Sequence, residues 1–471
     1  MIVVLENARC IYTCDTPGLI EGGYVIIDGA RIREIGHGDA PHIEGADKID
    51  CTGCIVLPGF INVHHHFFQS VTRAVPGLHR ADSAAWLSAH YPLWAEIEPD
   101  DLTAAVRNSS AELLLSGATT SADHSFVLGG VGAELAPIEI AAVREMGLRL
   151  HLARSCLPVI EGAVGAHLQR TMGERINRLI APEDEVIEQC RADVERWHDA
   201  SPGAMVRLAL GPSNVAYTKP ALMKQFGDIA AETGCGLHAH YHPREAERAL
   251  CRQTQGCEPI EFLDRAGWLG PQTWLAHCTE LDDTEIATFG ARGVGVAHCP
   301  RTVLRLGYQI PRIAAMRAAG VRVSFGVDGA ASNDGGSFIN ELRLGLLLHR
   351  ARERNPVSED VWLTPHDALL MATRDAAAML GRDDIGRLKP GLCADITVFD
   401  LSGAEFGGAL NDPLGGFLMA GVGARANTTI INGRVVVRNG QITTANELKI
   451  AEATSRASAA LAERAKAAAI G

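Results

Sequence analysis

Short apolar runs joined by tight-turn residues occupy both ends of the chain. Near the N-terminus two such runs flank Asp28-Gly29, and near the C-terminus two others flank Asn432-Gly433. Both dipeptides favour two-residue β-hairpin turns, because they accept the positive φ angles that such turns require. β-rich ends around a different middle region predict one small β-sandwich domain built from both termini, with two separate β-modules as the alternative.

The middle of the chain alternates amphipathic helical segments with short apolar strands. Eight βα repeats of this kind are typical of a parallel barrel, whose active site lies at the C-terminal ends of its strands. The sequence therefore predicts an α/β fold, a (β/α)8 TIM-like barrel with a small β-sandwich domain. The predicted barrel strands are residues 60–66, 118–123, 148–153, 206–210, 236–240, 273–277, 293–298 and 321–328.

The same pattern predicts the domain boundaries. A chain of 471 residues is too long for one small core, so a large barrel with a satellite domain is the natural expectation. Residues 1–58 are expected to form the first part of the β-sandwich, 59–388 the barrel, 389–445 the second part of the sandwich and 446–471 a C-terminal helix.

Charge and cysteine content narrow the class of protein. Lys and Arg number 43 against 56 Asp and Glu, a formal net charge of −13, which argues against nucleic acid or an acidic membrane as the main partner. No run approaches the roughly 18 apolar residues of a membrane span.

The 12 cysteines are scattered and no signal peptide is recognisable, which favours a reduced, cytoplasmic protein. Cys51 and Cys54 have redox or zinc spacing, but no second such pair accompanies them, so structural thiols are favoured.

Histidines end the first predicted barrel strand. His64 and His66 lie two residues apart, so their side chains point to the same face of that strand. His240, His277 and Asp328 end strands five, six and eight, and the ends of parallel barrel strands meet at one mouth. Imidazole and carboxylate suit a divalent ion such as zinc. The candidate ligands are His64, His66, His240 and Asp328, with His277 close by.

Longer motifs surround these residues. They run from Pro58 to Gln69, Gly117 to Thr120, His238 to His240, Trp274 to His277, Ala297 to Pro300, Gly326 to Asp334 and Lys389 to Asp395. Together they resemble the amidohydrolase superfamily, in its aminohydrolase branch of nucleobase and triazine deaminases, over nearly the whole chain. Within that branch the stretch from His65 to Pro76 most resembles 8-oxoguanine deaminases, and isoxanthopterin deaminases resemble the chain nearly as well.

The resemblance implies a catalytic metal centre. It implies that His64, His66, His240 and Asp328 bind the ion and that His277 lies beside the metal-bound water. Binuclear relatives usually carry a carboxylated lysine at the end of strand four, but residues 210–214 contain no lysine. The resemblance therefore implies one divalent ion per chain, Zn²⁺ or alternatively Fe²⁺.

Four further residues are expected to contact the substrate. Gln69, Trp86 and Trp94 are similar to residues that line the pocket in this family, with ordinary packing as the alternative for the two tryptophans. Arg154 ends strand three, where it either faces a ring carbonyl of the substrate or has a structural role.

One position departs from the family pattern. Many relatives have His-x-x-Glu at the end of strand five, and that glutamate moves a proton. Here the matching position after His240 is Pro243. Either Glu245 or His242 substitutes for the glutamate, or His277 and Asp328 carry the acid–base work alone.

The expected reaction is hydrolytic deamination of an amino-substituted bicyclic heteroaromatic. The resemblance favours 8-oxoguanine, which would give uric acid and ammonia, in a homo-oligomeric enzyme. The alternatives are isoxanthopterin, a pterin or another nucleobase as substrate, or an s-triazine that loses chloride or an alkylamine. A hydrolase of cyclic amides, which would use two metal ions, and a non-catalytic binding barrel also remain as alternatives.

Overall fold

Five strands open the chain. The computed structural model describes residues 1–126, 131–158, 162–180, 182–353, 361–421 and 425–470 of the 471-residue chain. The first strands are β1 (Ile2–Tyr12), β2 (Leu19–Asp28), β3 (Arg31–His37), β4 (Asp47–Asp50) and β5 (Cys54–Pro58). Strands β2 and β3 pair antiparallel around the Asp28-Gly29 turn, as the sequence predicts.

Parallel strands then form the barrel sheet. Eight of them are hydrogen-bonded in the order β14-β13-β12-β11-β10-β9-β8-β6, and β7 and β15 form a separate two-stranded sheet. Their bounds are β6 (Phe60–Asn62), β7 (His65–His66), β8 (Ala118–Ser125), β9 (Arg149–Cys156), β10 (Val206–Pro212), β11 (Gly236–Tyr241), β12 (Thr273–His277), β13 (Gly295–His298), β14 (Arg322–Phe325) and β15 (Asp328–Gly329). The prediction of a (β/α)8 barrel is thus confirmed.

Helices follow and cover these strands. They are α1 (Ser83–Trp94), α2 (Pro99–Leu115), α3 (Leu135–Met146), α4 (Gly162–Met172), α5 (Glu183–Trp197), α6 (Pro220–Thr233), α7 (Glu245–Gln255), α8 (Pro259–Arg265), α9 (Asp283–Arg292), α10 (Pro300–Arg305), α11 (Ile313–Ala318), α12 (Phe338–Arg352), α13 (Pro365–Ala372), α14 (Arg374–Met379), α15 (Pro413–Gly415) and α16 (Glu447–Ile470). Among the residues that the structure describes, no helix combines the length and the apolar character that crossing a membrane would require.

The C-terminal strands complete the first sheet. They are β16 (Ile396–Asp400), β17 (Thr428–Ile431), β18 (Arg434–Arg438) and β19 (Gln441–Ile442). Strand β16 pairs antiparallel with β5, so both termini build one nine-stranded mixed sheet. Apolar side chains from both halves, including Val25, Val56 and Ile430, share one core. The alternative of two separate β-modules is therefore excluded.

Strands one and eight of the barrel are each interrupted where they meet. The sequence predicts both as continuous, but β6 and β14 end early and the short β7 and β15 follow them. Hydrogen bonds join the two segments: Val63 N donates to Phe325 O at 3.1 Å and Asp328 N donates to His64 O at 3.0 Å. The side chain of Asn62 also accepts from Val327 N at 2.8 Å. These bonds bring the histidines after β6 directly beside Asp328.

Candidate metal centre and active site

Four side chains converge at the C-terminal mouth of the barrel. Asp328 Oδ1 lies 3.3 Å from His64 Nε2 and 3.2 Å from His66 Nε2. His66 Nε2 in turn lies 3.0 Å from His240 Nε2. Ligands about 2.1 Å from one zinc ion lie roughly 3–3.5 Å apart, so these atoms are spaced as ligands of a common ion. The Nε2 atom of His64 is buried and has no hydrogen-bond partner among the described residues, as expected for an atom whose lone pair binds a metal.

The opposite ring nitrogen of each histidine is held by a second group. His66 Nδ1 donates to the carbonyl of His124 at 2.7 Å, and His240 Nδ1 donates to the carbonyl of Ser213. His238 Nδ1 donates to Trp274 O at 2.8 Å, so the neutral His238 ring accepts at Nε2 the bond, also 2.8 Å, that His64 Nδ1 donates.

These bonds select one tautomer for all three histidines. With the proton on Nδ1, the lone pair of each Nε2 points to the shared centre, which is the arrangement that metal-binding histidines use. A divalent ion therefore fits the donor set of His64, His66, His240 and Asp328.

Burial and charge keep these groups in metal-binding form. Burial lowers the pKa of His64 and of His240 well below its ordinary value, so both rings are neutral. Burial alone would raise the pKa of Asp328, but its close contacts with the imidazoles of His64 and His66 hold it well below the ordinary value. Neutral imidazoles and an ionised carboxylate are the forms that bind a divalent cation.

His277 lies beside the carboxylate of Asp328, next to the rings of His64 and His240. Its Nε2 is 3.9 Å from Asp328 Oδ2, and burial lowers its pKa to about 4. His277 and Asp328 both have positive φ, 75° and 64°, which non-glycine residues rarely adopt. Strained backbone at two adjacent polar side chains is typical of a functional site.

His124 extends the histidine cluster in a way that the sequence analysis missed. His64, His66, His124 and His240 form one group with metal-binding spacing, and His64, His240, His277 and Asp328 form another. The two groups share His64 and His240, whose Nδ1 atoms are already bonded, so they describe one ion position. The predicted second strand stops at Asp123; extending it by one residue would have placed His124 at a strand end.

A pocket opens above these side chains. His66, His240, His277 and Asp328 lie in its wall with apolar and aromatic side chains; the latter include Trp86, Tyr91, Phe126, Leu157, Leu306 and Tyr308. Tyr91 belongs to α1 and Tyr308 to the loop after α10, and no sequence pattern assigns these segments to the mouth of the barrel. Their participation depends on how those segments fold back over the barrel.

Two of the predicted substrate contacts lie in this pocket. Gln69 lines it, and its Oε1 accepts from Ala331 N at 3.2 Å, which leaves the Nε2 donors for a ligand. Trp86 also lines it, and its indole Nε1 donates to Ala331 O at 2.9 Å. Trp86 can therefore offer only its apolar ring to a substrate.

Trp94 does not reach the pocket. It is fully buried behind Phe68, with ring centroids 5.2 Å apart, and its Nε1 donates to Thr72 Oγ1 at 3.0 Å. The packing alternative is the correct one for this tryptophan.

Arg154 also lies outside the pocket, which corrects the expectation that it faces the substrate. Its Nε donates to Asp193 at 3.1 Å and its Nη2 to Gln189 at 2.9 Å, both on α5. The neighbouring Ala153 belongs to the core inside the barrel, so alternation along β9 turns Arg154 outward to the helix layer.

Glu245 is the third residue that the structure removes from the site. Its side chain is 79% exposed, pairs with Arg252 and does not line the pocket. His242, by contrast, lines the pocket and stacks on His277 with centroids 4.6 Å apart. Pro243, at the position of the usual glutamate, has no side-chain proton to give.

Comparison with known proteins agrees with this geometry. The model of the amidohydrolase family matches residues 55–436. The chain belongs to the amidohydrolase family. It is therefore a metal-dependent aminohydrolase.

Individual relatives share most of their length with this amidohydrolase. An 8-oxoguanine deaminase from Pseudomonas aeruginosa is 36% identical over 442 residues, which cover 93% of this chain and 94% of the relative. A hydroxydechloroatrazine ethylaminohydrolase from Pseudomonas sp. (strain ADP) is 36% identical over 87% of this chain and 83% of the relative. Among solved structures, atrazine chlorohydrolase from Arthrobacter aurescens TC1 complexed with zinc matches with a TM-score of 0.88, 31% identity and coverage of 97% of this chain and 100% of that one.

Proposed function

We propose that this amidohydrolase deaminates 8-oxoguanine to uric acid and ammonia with one bound zinc ion. The observation that carries the proposal is the convergence of His64, His66, His240 and Asp328 at the floor of a pocket whose wall includes Gln69 and Trp86. A hydrolytic centre beneath a flat apolar wall with a few polar groups suits an aromatic heterocycle.

A single ion agrees with the residues at the end of β10. The structure places Lys219 at the start of α6, where its side chain is 73% exposed and pairs with Glu183 at 2.8 Å. Among the described residues of this strand end, none is a lysine that could be carboxylated to bridge two ions. This supports the deaminase proposal over a two-metal hydrolase of cyclic amides.

The ion, when bound, supplies a water whose pKa is lowered towards 7. Asp328 Oδ1 faces the Nε2 atoms of His64 and His66 and accepts from the amide of Gly329 at 2.7 Å, so it is the oxygen that would bind the ion. Oδ2 is therefore the oxygen that accepts the proton of the attacking water and returns it to the leaving ammonia. His277, 3.9 Å from Oδ2, orients the same water.

The pocket wall orients the ring. Trp86 presents an apolar face because its Nε1 is bonded to Ala331, and Gln69 presents the Nε2 donors because its Oε1 is bonded to the same residue. An amide donor suits a ring carbonyl or an unprotonated ring nitrogen, both of which an oxopurine has. Water replaces the exocyclic amino group at the ring carbon, and the product is the corresponding lactam plus ammonia.

The test is ammonia release from the zinc-loaded protein over a substrate panel. The panel contains 8-oxoguanine, guanine, isoxanthopterin, pterin, cytosine and isocytosine. We expect kcat/KM to be highest for 8-oxoguanine and to exceed that for guanine, which lacks the 8-carbonyl. A higher value for isoxanthopterin or for guanine would reject the proposed substrate and keep the deaminase mechanism.

A second candidate is hydrolysis of an alkylamino or chloro substituent on an s-triazine. It is favoured by the 36% identity to the hydroxydechloroatrazine ethylaminohydrolase and by the fold shared with the atrazine chlorohydrolase. The same metal centre would serve both reactions, since only the leaving group differs. Adding a hydroxy-s-triazine that carries an ethylamino group to the panel, with ethylamine and ammonia measured separately, distinguishes the two.

A further inference from the structure

Arg244 lies in the pocket wall just after the strand that carries His240. It precedes the first residue of α7 and lines the pocket. Its Nε is 3.1 Å from both carboxylate oxygens of Glu247, and its Nη2 donates to Glu247 Oε1. Glu247 also lines the pocket and its side chain is only 3% exposed. The guanidinium is therefore held in a fixed orientation by a buried carboxylate.

One edge of the Arg244 guanidinium faces no hydrogen-bond acceptor in the described part of the chain. Nη1 makes no hydrogen bond to any residue that the structure describes, and the side chain is 35% exposed. The guanidinium carbon lies 5.6 Å from the ring centroid of Tyr308, and that ring lies 6.1 Å from His277. Arg244 thus lies over the Tyr308 ring, which in turn lies next to His277 in the pocket.

The charge of Arg244 is distinctive in this pocket. The other described side chains in the wall are apolar, aromatic, neutral polar, histidine or carboxylate, and none is a lysine or a second arginine. The guanidinium of an arginine stays protonated over the pH range in which proteins remain folded, and its N–H groups form a rigid planar fork of donors. A fixed donor of this kind matches a carbonyl or enolate oxygen better than an apolar substituent.

We propose that Arg244 is a specificity-determining residue that binds, through Nη1, the carbonyl oxygen on the substrate ring remote from the amino group, which in 8-oxoguanine is the 8-carbonyl. Glu247 is the positioning residue that holds the guanidinium in place. This inference rests on the proposed function, because it names the part of the heterocycle that the deaminase recognises. The rival explanation is that the Arg244–Glu247 pair only stabilises the start of α7.

The test compares substrates with and without the oxygen in matched variants. Arg244→Met removes the fork and keeps the aliphatic length. The control, Arg252→Met, lies on α7 but outside the pocket wall and removes an exposed arginine paired with Glu245. We expect the ratio of kcat/KM for 8-oxoguanine to that for guanine to fall about 10- to 100-fold in R244M, as for loss of a hydrogen bond to a charged group, and to stay unchanged in R252M. Equal loss for both substrates, or no loss, would overturn the inference.

Further measurements separate this inference from the proposed function and from misfolding. If the wild-type protein prefers another ring, the same ratio is measured with isoxanthopterin and pterin. If it deaminates neither pair, the proposed function fails, and calorimetric titration of the zinc-loaded protein with uric acid tests Arg244 alone: equal affinity of wild type and R244M would reject it. If R244M is unstable, Glu247→Gln, which keeps the guanidinium but weakens its anchor, must show the same selective loss for the oxygenated substrate.

Discussion

Nε2 of His64 lies 3.3 Å from Oδ1 of Asp328, although the two residues come from the first and the last strand segments of the barrel. The contact exists because β7 and β15 pair where the barrel closes, with Asp328 opposite His65. Nδ1 of His64 is bonded to His238, so the ring cannot turn away without breaking that bond. The metal-binding geometry is therefore set in advance by the closure of the barrel.

Removing His240 should release the metal. His240→Ala deletes one ring nitrogen of the donor set, and the remaining three ligands cannot hold the ion as tightly. We expect purified wild-type protein to contain about one divalent ion per chain and H240A to lose most of it, as measured by elemental analysis after gel filtration. His37→Ala, which removes a histidine of the terminal sheet, is the control and should keep the ion. Full retention in H240A would remove His240 from the site.

General acid–base catalysis should depend on Asp328 and should not require Glu245. Asp328→Asn removes the oxygen that takes the proton, and we expect kcat to fall by about 10²–10⁴-fold, the range for general acid–base groups. Glu245 is 79% exposed and bonded to Arg252, so Glu245→Gln should leave kcat within about tenfold of wild type. Steady-state kinetics with metal content measured in parallel test both. A collapse of activity in E245Q with its metal intact would return Glu245 to the mechanism.

A methyl group at Gly329 should disturb Gln69. A Cβ placed there would lie 1.8 Å from Gln69 Oε1, so the amide must leave its bond with Ala331 N. We expect Gly329→Ala to raise KM for 8-oxoguanine severalfold or more, because the Nε2 donors are no longer held towards the pocket. Gly335→Ala, whose Cβ would meet its nearest atom at an ordinary 3.4 Å, is the matched control. An unchanged KM in G329A would show that Gln69 does not contact the substrate.

The buried pair of Arg382 and Asp384 should give a pH-dependent contribution to stability. Nη2 of Arg382 lies 2.7 Å from Asp384 Oδ2, and the two side chains are 1% and 5% exposed. Burial alone would raise the pKa of Asp384, but the bonds from Arg382 and from Gly203 N hold it well below the ordinary value. Because the folded-state pKa is lowered, the stabilisation is complete above the unfolded pKa of about 4 and is lost as pH falls towards the folded pKa.

Asp384→Asn should therefore lower the free energy of unfolding by about 3–5 kcal/mol at pH 7, since it leaves a buried arginine without its charge partner. The difference from wild type should stay constant between pH 7 and 5 and shrink below pH 4. Asp383→Asn, at the exposed neighbouring position, should change stability little at any pH. Denaturant unfolding at several pH values measures all three proteins. A difference between D384N and wild type that grows as the pH falls would contradict the argument.

Local sequence was sufficient to predict the fold class and most residues of the candidate metal centre. The strands are short apolar runs bounded by turn residues, and a parallel barrel places every strand end at one mouth. Once His66, His240, His277 and Asp328 are assigned to strand ends, their convergence follows from the architecture. The tight turns at Asp28-Gly29 and Asn432-Gly433 could also be predicted from the residues alone, because both dipeptides favour two-residue hairpin turns.

Only the tertiary structure decided which side chains face the pocket. Barrel strands are buried on both faces, so apolar patterning does not reveal which residues point inward, and Arg154 turned out to face the helices. The exposure of Glu245 and the burial of Glu247 depend on how α7 starts above the mouth, which no local spacing encodes. Arg244 enters the pocket wall for the same reason: its position relative to Tyr308 is fixed by contacts between segments far apart in the chain, and such contacts exist only after the barrel has closed.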